Sequence, residues 1–251
     1  MRSAATFAIP LALAAASQVR GQVPSAVVEQ LKRDATSLVT VDRPPTSSQF
    51  AIGLGLVALA AAADSHLVDQ GREHLPGWTD DLKTGGATGS TNTMAASLIA
   101  GGLVFGDRRV TTGGLTLLEG NLVLSVVVQL SKTAFGRVRP NHPEAGRWFA
   151  GGDSFPSSHA AHAFLIASVL DATIDRPVWR WAIYPLATGV ALQRLHEGVH
   201  YPTDVIAGGL LGWWVGHRLS VSHELVERPH KVVVSWAPVL GGGCIVAHIS
   251  F

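Results

Sequence analysis

Apolar residues gather along the chain in six long runs, 48–63, 91–106, 113–131, 157–172, 179–193 and 204–219. Each is long enough for a helix and too long for an ordinary strand of about 5–6 residues. The stretches between them are turn-like: "DQGREHLPGWTDDLKTGG", "GDRR", "GRVRPNHPEAGRWFAGGDSFP", "DATIDRP" and "EGVHYP". Gly and Pro punctuate them, and few offer an alternation that would support a strand. The pattern predicts an all-α six-helix bundle over residues 47–220. Upstream, Val27, Leu31, Leu38 and Val41 space out a weakly amphipathic helix in a peripheral lead-in, 22–46, that ends before Pro44-Pro45. The tail, 221–251, changes period. "KVVVSWAPVL-GGG-CIVAHISF" reads as two strands around a glycine turn, a short β-hairpin. An isolated hairpin is marginal in water, so this one is expected to pack on the bundle, on a second copy or against lipid.

The first 21 residues form an export signal: Arg2 supplies the positive start, Phe7 to Ala16 a short apolar core, and small residues follow, with cleavage after Ala16 or Gly21. That places the protein in a bacterial envelope or outside the cell, periplasmic or membrane-associated. Whether the bundle spans the bilayer is a separate matter. A crossing helix needs about 20 apolar residues. The runs from 48 and 91 approach that, those from 179 and 204 are marginal, and Glu119 and Asn121 interrupt the run from 113. Arg108/Arg109 and Arg176/Arg180 fall in loops on one side of a six-helix weave, the cytoplasmic side if the bundle spans. That weave needs residue 46 inside, whereas a cleaved signal leaves it outside. The reading adopted is a bundle held at a membrane surface, with an integral protein as the alternative.

Composition narrows the chemistry. The chain has 251 residues, 47% of them hydrophobic and 15% charged, with a net charge of +1, so no broad basic face points to nucleic acid. A single cysteine, Cys244, excludes an intrachain disulfide and a cysteine metal cluster. The unusual feature is eleven histidines.

Two motifs compete for one of them. His196-Glu197-Gly198-Val199-His200 spells HExxH, a zinc-protease signature that works when both histidines sit one turn apart on a helix. Gly198 between them and Pro202 just after argue for a loop instead. No spacing compels a third ligand, although Glu224 or His217 can be nominated. The same letters give Arg194, five residues, His200, three residues, Asp204. Pro202 suits the first position of the last helix, so Asp204 lies in its first turn, where the carboxylate can reach back to the His200 imidazole and orient it. Arg194 ends the preceding helix and aims a two-pronged donor into the same space.

Two further clusters share that anion chemistry. Lys132 and Arg139 stand where the 113–131 helix ends, before Pro140. Pro156-Ser157-Ser158-His159 opens the 157–172 helix, and amides with a hydroxyl at a helix start bind anions. Three cations, helix amides and two histidines suit phosphoryl transfer, in which charge develops on equatorial oxygens. Taken singly, each has a blander reading. Lys132 and Arg139 would be solvated loop charges, Ser157 a helix cap, and His162 a core histidine. Arg137 and Arg147, in the loop over the site, are read as solvated charges, and His196 and Glu197 as loop surface.

Together the clusters "KTAFGRVRP" (132–140), "PSSH" (156–159) and "QRLHEGVHYPTD" (193–204) resemble the three motifs of the type-2 phosphatidic acid phosphatase and vanadium haloperoxidase superfamily. Ser158 stands where that family usually has Gly, and Gln193 where it has Ser. The resemblance spans roughly residues 48–219. It implies a helical bundle and a metal-independent phosphatase with no cofactor, acting through a phosphohistidine. His200 would be the nucleophile, Asp204 its orienter and His159 the acid for the leaving group. Lys132, Arg139, Arg194, Ser157 and the Ser158 amide would hold the phosphate. The substrate expected is a phosphomonoester or pyrophosphate, on a lipid or isoprenoid carrier. The alternatives are a soluble broad-specificity acid phosphatase, a haloperoxidase holding vanadate in the same pocket, a non-catalytic membrane or assembly protein that self-associates through its hairpin, and a zinc peptidase.

Overall fold

The computed structural model describes residues 25–39, 55–62, 64, 84–226, 231–239 and 242–250. The export signal of 1–21 lies outside them. The chain divides into two units, Met1–Pro44 and Pro45–Phe251. In the first, α1 (Ser25–Val39) carries local side-chain bonds such as Gln30 Nε2 to Asp34 Oδ1 at 2.9 Å.

The second unit holds α2 (Thr88–Phe105), α3 (Arg108–Phe135), α4 (Ser158–Ile174), α5 (Pro177–His196) and α6 (Pro202–Ser222). Of the first predicted run, residues 55–62 are helical, and 48–54 lie outside the described residues. The chain continues into two strands, β1 (Lys231–Val239) and β2 (Gly242–Ser250), antiparallel with Lys231 opposite Ser250.

The helices start and stop where local chemistry dictates. Gly106 closes α2 in the left-handed region (φ 68°), and Asp107 caps α3 by accepting from the Arg109 and Val110 amides at 2.9 and 3.1 Å. The predicted break "GDRR" is therefore only two residues long, and Arg108 and Arg109 open α3 rather than lying in a loop. This lengthens α3 at both ends relative to the predicted 113–131. It becomes, among the described residues, the one helix long and apolar enough to cross a membrane, although 44% of that apolar window is buried. The sequence had placed that capacity at 48 and 91 instead. The polar interruptions of α3 are largely accommodated: Asn121 Nδ2 donates to Asn92 Oδ1 at 2.7 Å, although its Oδ1 has no partner among the described residues, and Glu119 pairs with His223 at 3.2 Å.

At the centre stands α4, which packs against α3, α5 and α6. It buries Ala160, Ala161, Ala163, Leu165, Ala167 and Val169 around most of its circumference, as a central helix must. Its contact with α6 is set by glycines four residues apart. A Cβ on Gly208 would stand 2.4 Å from the Ser157 carbonyl oxygen, and one on Gly212 1.8 Å from that of Ala161. A Cβ on Gly216 would stand 2.9 Å from Ser168. Small residues at this spacing let backbones approach directly. At the far end of the bundle, Arg109 donates to the carbonyls of Ala172, Thr173 and Leu225 at 2.7, 2.9 and 2.7 Å. The first two occupy otherwise orphaned acceptors at the α4 C-terminus, and the third ties in the chain after α6.

This up-and-down path brings the C-termini of α3 and α5 to the same end as the N-termini of α4 and α6. All the predicted site residues sit at that end.

Candidate active site

Each side chain is positioned by a helix terminus. Lys132 lies in the last turn of α3, which stops at Gly136 (φ 49°). Ser157 is the N-cap of α4, with its Oγ accepting from the Ala160 amide at 3.5 Å, and Ser158 and His159 begin the helix. Arg194 is in the last turn of α5. Asp204 is the third residue of α6 and reaches back to the Tyr201 amide at 2.9 Å, as a carboxylate at that position does. Backbone bonds join the motifs, since the Ser157 amide donates to the Asp204 carbonyl at 2.9 Å.

His200 is buried at 3% exposure, and its Nδ1 stands 3.6 Å from Asp204 Oδ2. That is longer than a hydrogen bond. Nδ1 has no hydrogen-bond partner among the described residues, so the ring is aimed at its carboxylate without being closed onto it. Asp204 is fully buried and held from several sides: Arg137 Nη1 donates to Oδ1 at 2.7 Å, and the Ser154 hydroxyl donates to Oδ2. Burial alone would raise its carboxyl, but His200, Arg137, Ser154 and the Tyr201 amide outweigh burial and keep it below the usual range. Asp204 is therefore a fixed negative charge.

Both imidazoles are pushed the other way. Burial depresses His159 to about 4, reinforced by the Arg194 and His200 charges and opposed by Glu197. Burial also lowers His200, with Asp204 opposing and Lys132 and Arg139 adding to the depression. These mutual influences place Lys132, Arg139, Arg194, His159, His200 and Asp204 in one electrostatic neighbourhood.

The cations are already engaged. Arg139 grips Asp153 with Nε and Nη2 at 2.7 and 2.9 Å, and Lys132 Nζ donates to the Asp153 carbonyl. Burial lowers the Lys132 ammonium against the opposing Asp153 charge. A carboxylate thus occupies the fork that would otherwise take an anionic ligand, and an arriving oxyanion competes with it. Arg194 meets Gln193 Oε1 through Nη2 and Glu197 Oε2 through Nη1 at 3.1 Å, while its buried Nε has no partner among the described residues.

Two sequence expectations are corrected. Arg137 is not a solvated charge: it is 4% exposed, sandwiched between the rings of Trp148 and Tyr201 at 4.5 and 3.8 Å. Its Nη2 also meets Asp64 Oδ2 at 2.7 Å. Asp64 in turn accepts from the Thr203 amide and hydroxyl, so it caps α6 and anchors Arg137 at once. Glu197 is not idle surface but the partner of Arg194. As Gly198 and Pro202 led one to expect, His196 and Glu197 do not continue a helix into His200: α5 ends at His196 and Gly198 has φ 63°. The geometry an HExxH zinc site requires is absent there. His162, 1% exposed with Nδ1 2.8 Å from the Ser158 carbonyl, is the core histidine expected.

Asp64, Asp153 and Ser154 were not singled out by sequence. The "GGDSFPSSH" run placed Asp153 and Ser154 within six residues of His159, a usable hint. Nothing local marked Asp64.

The fold and the end-of-bundle cluster define a helical module with its candidate site at one end, and similar modules occur among known proteins. Residues 113–227 match the PAP2 superfamily. The chain is 33% identical over 137 residues to an undecaprenyl-diphosphatase of Sulfolobus acidocaldarius, covering 50% of this chain and 62% of that one. It is 34% identical over 122 residues to a lipid A 4'-phosphatase of Bacteroides thetaiotaomicron, covering 43% and 51%. The matched stretches thus span about half to three fifths of these curated relatives. Among solved structures, the transmembrane PAP2 type phosphatidylglycerolphosphate phosphatase from Bacillus subtilis superposes with a TM-score of 0.56. Its identity is 21%, covering 71% of this chain and 96% of that one, which is agreement in fold.

Proposed function

We propose that the protein is a metal-independent phosphatase that hydrolyses phosphomonoesters or pyrophosphates on lipid or isoprenoid carriers. The observation that carries the reading is the buried His200–Asp204 pair, set among His159, Lys132, Arg139 and Arg194 where four helix termini meet. In this reading Nε2 of His200 attacks phosphorus, and Asp204 stabilises the imidazolium that develops. His159 gives a proton to the leaving oxygen. Lys132, Arg139, Arg194, the Ser157 hydroxyl and the Ser158 amide hold the equatorial oxygens. The unpartnered Nε of Arg194 is a donor that a phosphate oxygen would satisfy. Water then cleaves the phosphohistidine, with His159 accepting its proton.

The named activities of the relatives, both on lipid-linked phosphates, favour a lipid substrate. So do the exposed apolar side chains along the bundle, among them Leu103, Phe105, Leu122, Trp181 and Leu186, which fit association with a membrane. We place the protein in the bacterial cell envelope.

Phosphate release from phosphatidate, undecaprenyl pyrophosphate and a water-soluble ester tests the activity. Turnover should survive a chelator and be blocked by vanadate. Loss with the chelator would end the metal-independent reading, and bromide oxidation after vanadate loading without phosphate release would make the site a haloperoxidase.

The histidines give a pH test. A neutral His200 attacks and a protonated His159 donates. In the free protein burial leaves His159 protonated only near and below about pH 4. A bound phosphate sets negative charge beside it and favours the imidazolium. The basic limb of kcat should therefore lie at higher pH than that of kcat/KM. Coincident limbs would remove His159 from the acid role.

A further inference from the structure

The first turn of α4, which carries Ser157, Ser158 and His159, is pinned from a second side by the segment entering α2. There the chain folds as a turn, with the Ala87 amide donating to the Thr84 carbonyl at 3.0 Å. The Ser90 hydroxyl lies 2.6 Å from that carbonyl and 2.7 Å from the carbonyl of Ala87, so the turn is locked to its own helix. Gly86, inside this turn, is buried against α4. A Cβ there would stand 2.1 Å from the His159 carbonyl oxygen and 2.8 Å from the His159 Cα. The backbone of Gly86 lies outside the left-handed region, so its dihedrals would admit a side chain. Contact, not conformation, is what calls for glycine here.

Gly208 of α6 meets the Ser157 carbonyl in the same manner. Two residues along a helix turn through about 200°, so the carbonyls of Ser157 and His159 face nearly opposite ways. The first turn of α4 is therefore held between α6 and the entry turn of α2. The two grips differ. Ser157 is tied to α6 by its amide as well, which donates to the Asp204 carbonyl at 2.9 Å. On the His159 side Gly86 acts by packing. The methyl of an alanine at 86 would fall well inside the 3.4 Å at which ordinary contact begins, against backbone atoms that cannot rotate away. It would push His159 while the Ser157 end stays anchored.

We propose, resting on the phosphatase reading with His159 as its acid, that Gly86 is a positioning residue for leaving-group protonation. As the bond from phosphorus to the leaving oxygen breaks, that oxygen keeps the bonding pair and takes the proton of His159. The transfer needs the ring within hydrogen-bond reach of that oxygen. The phosphate-holding groups at Ser157, Arg194 and Lys132 lie on other supports and are spared.

Butyl phosphate and 4-nitrophenyl phosphate separate this role from a general one. Butoxide must be protonated to leave, whereas nitrophenolate departs without help. The readout is kcat/KM, which covers the steps up to departure of the leaving group and not the later hydrolysis of the phosphohistidine. In Gly86→Ala it should fall about 10²-fold for the butyl ester, the cost of misplacing a reacting group by about 1 Å, and stay nearly unchanged for the nitrophenyl ester. His159→Ala should show the same preference, and the double variant should be no worse on the butyl ester than His159→Ala alone. If a thermal melt shows Gly86→Ala unfolded, Ser90→Ala carries the test. It removes the hydroxyl that locks the turn, and should give the same preference at smaller size. Equal losses on the two esters, losses that add in the double variant, or no loss at all overturn the positioning role and leave the phosphatase reading standing. A His159→Ala protein without the preference removes the acid, and the positioning role with it. Failure of the unaltered protein to hydrolyse either ester ends the phosphatase reading itself.

Discussion

Replacing His200 by alanine should lower kcat for phosphate release by about 10⁴ to 10⁶, the scale seen when a nucleophile or its base is removed from a catalytic unit. The side chain is buried at 3% exposure. Because the ring touches Asp204 at 3.6 Å rather than through a close hydrogen bond, its removal should leave the fold intact. A thermal melt alongside the assay separates lost chemistry from lost structure. Asp204→Asn should follow His200→Ala in direction, since an amide cannot stabilise an imidazolium. Glu197→Gln is the discriminating control. It weakens the 3.1 Å pair with Arg194, so a modest loss, within about tenfold, is expected from one partly exposed ion pair. A large loss in Glu197→Gln with Asp204→Asn harmless would restore the zinc reading of the HExxH letters.

Arg137→Ala should be the most damaging substitution outside the reacting groups. Its guanidinium sits between two buried or nearly buried carboxylates, Asp64 and Asp204, and between two aromatic faces. Removing one member of such a network leaves uncompensated charge in the interior, at about 3–5 kcal/mol. For a domain of this size that corresponds to a fall in Tm of roughly 10 °C. The catalytic effect has its own signature. Arg137 is one of the groups holding the Asp204 carboxyl below its usual range. Without it that carboxyl titrates at higher pH, so the support it lends His200 is lost earlier as pH falls. The acid limb of kcat should move upward. Arg137→Lys keeps the charge but not the fork, and should fall between the two. An acid limb unmoved in Arg137→Lys, with stability retained, would reduce Arg137 to a packing role.

Sequence reached the helix-end residues because their chemistry is local. Lys132, Ser157, Arg194 and Asp204 each stand within a turn of a Gly or Pro signal that marks a terminus. Gly198 likewise decided between two motifs sharing His200, and its positive φ is the reason the helix cannot continue. What escaped were pairings across long separations. Arg137 and Asp64 are 73 residues apart, and no pattern near either one announces the other. An arginine in a loop is usually solvated, so only the two rings stacked on it explain its burial. The ends of α3 were misjudged for a similar reason. The apolar run stops at 131, but Asp107 and Gly136 set where the backbone stops.

The glycine seam between α4 and α6 acts as a gauge. With Gly208 and Gly212 lying directly on the carbonyls of Ser157 and Ala161, the two backbones cannot come closer and gain nothing by parting. The separation of His159 from His200 is thus calibrated by side chains that are missing rather than present. A bulkier transferred group could not be accommodated by spreading this jaw. Diversification of what the protein accepts would have to fall on the loop of 136–153 and on the outer flank, leaving the spacing of the two imidazoles untouched.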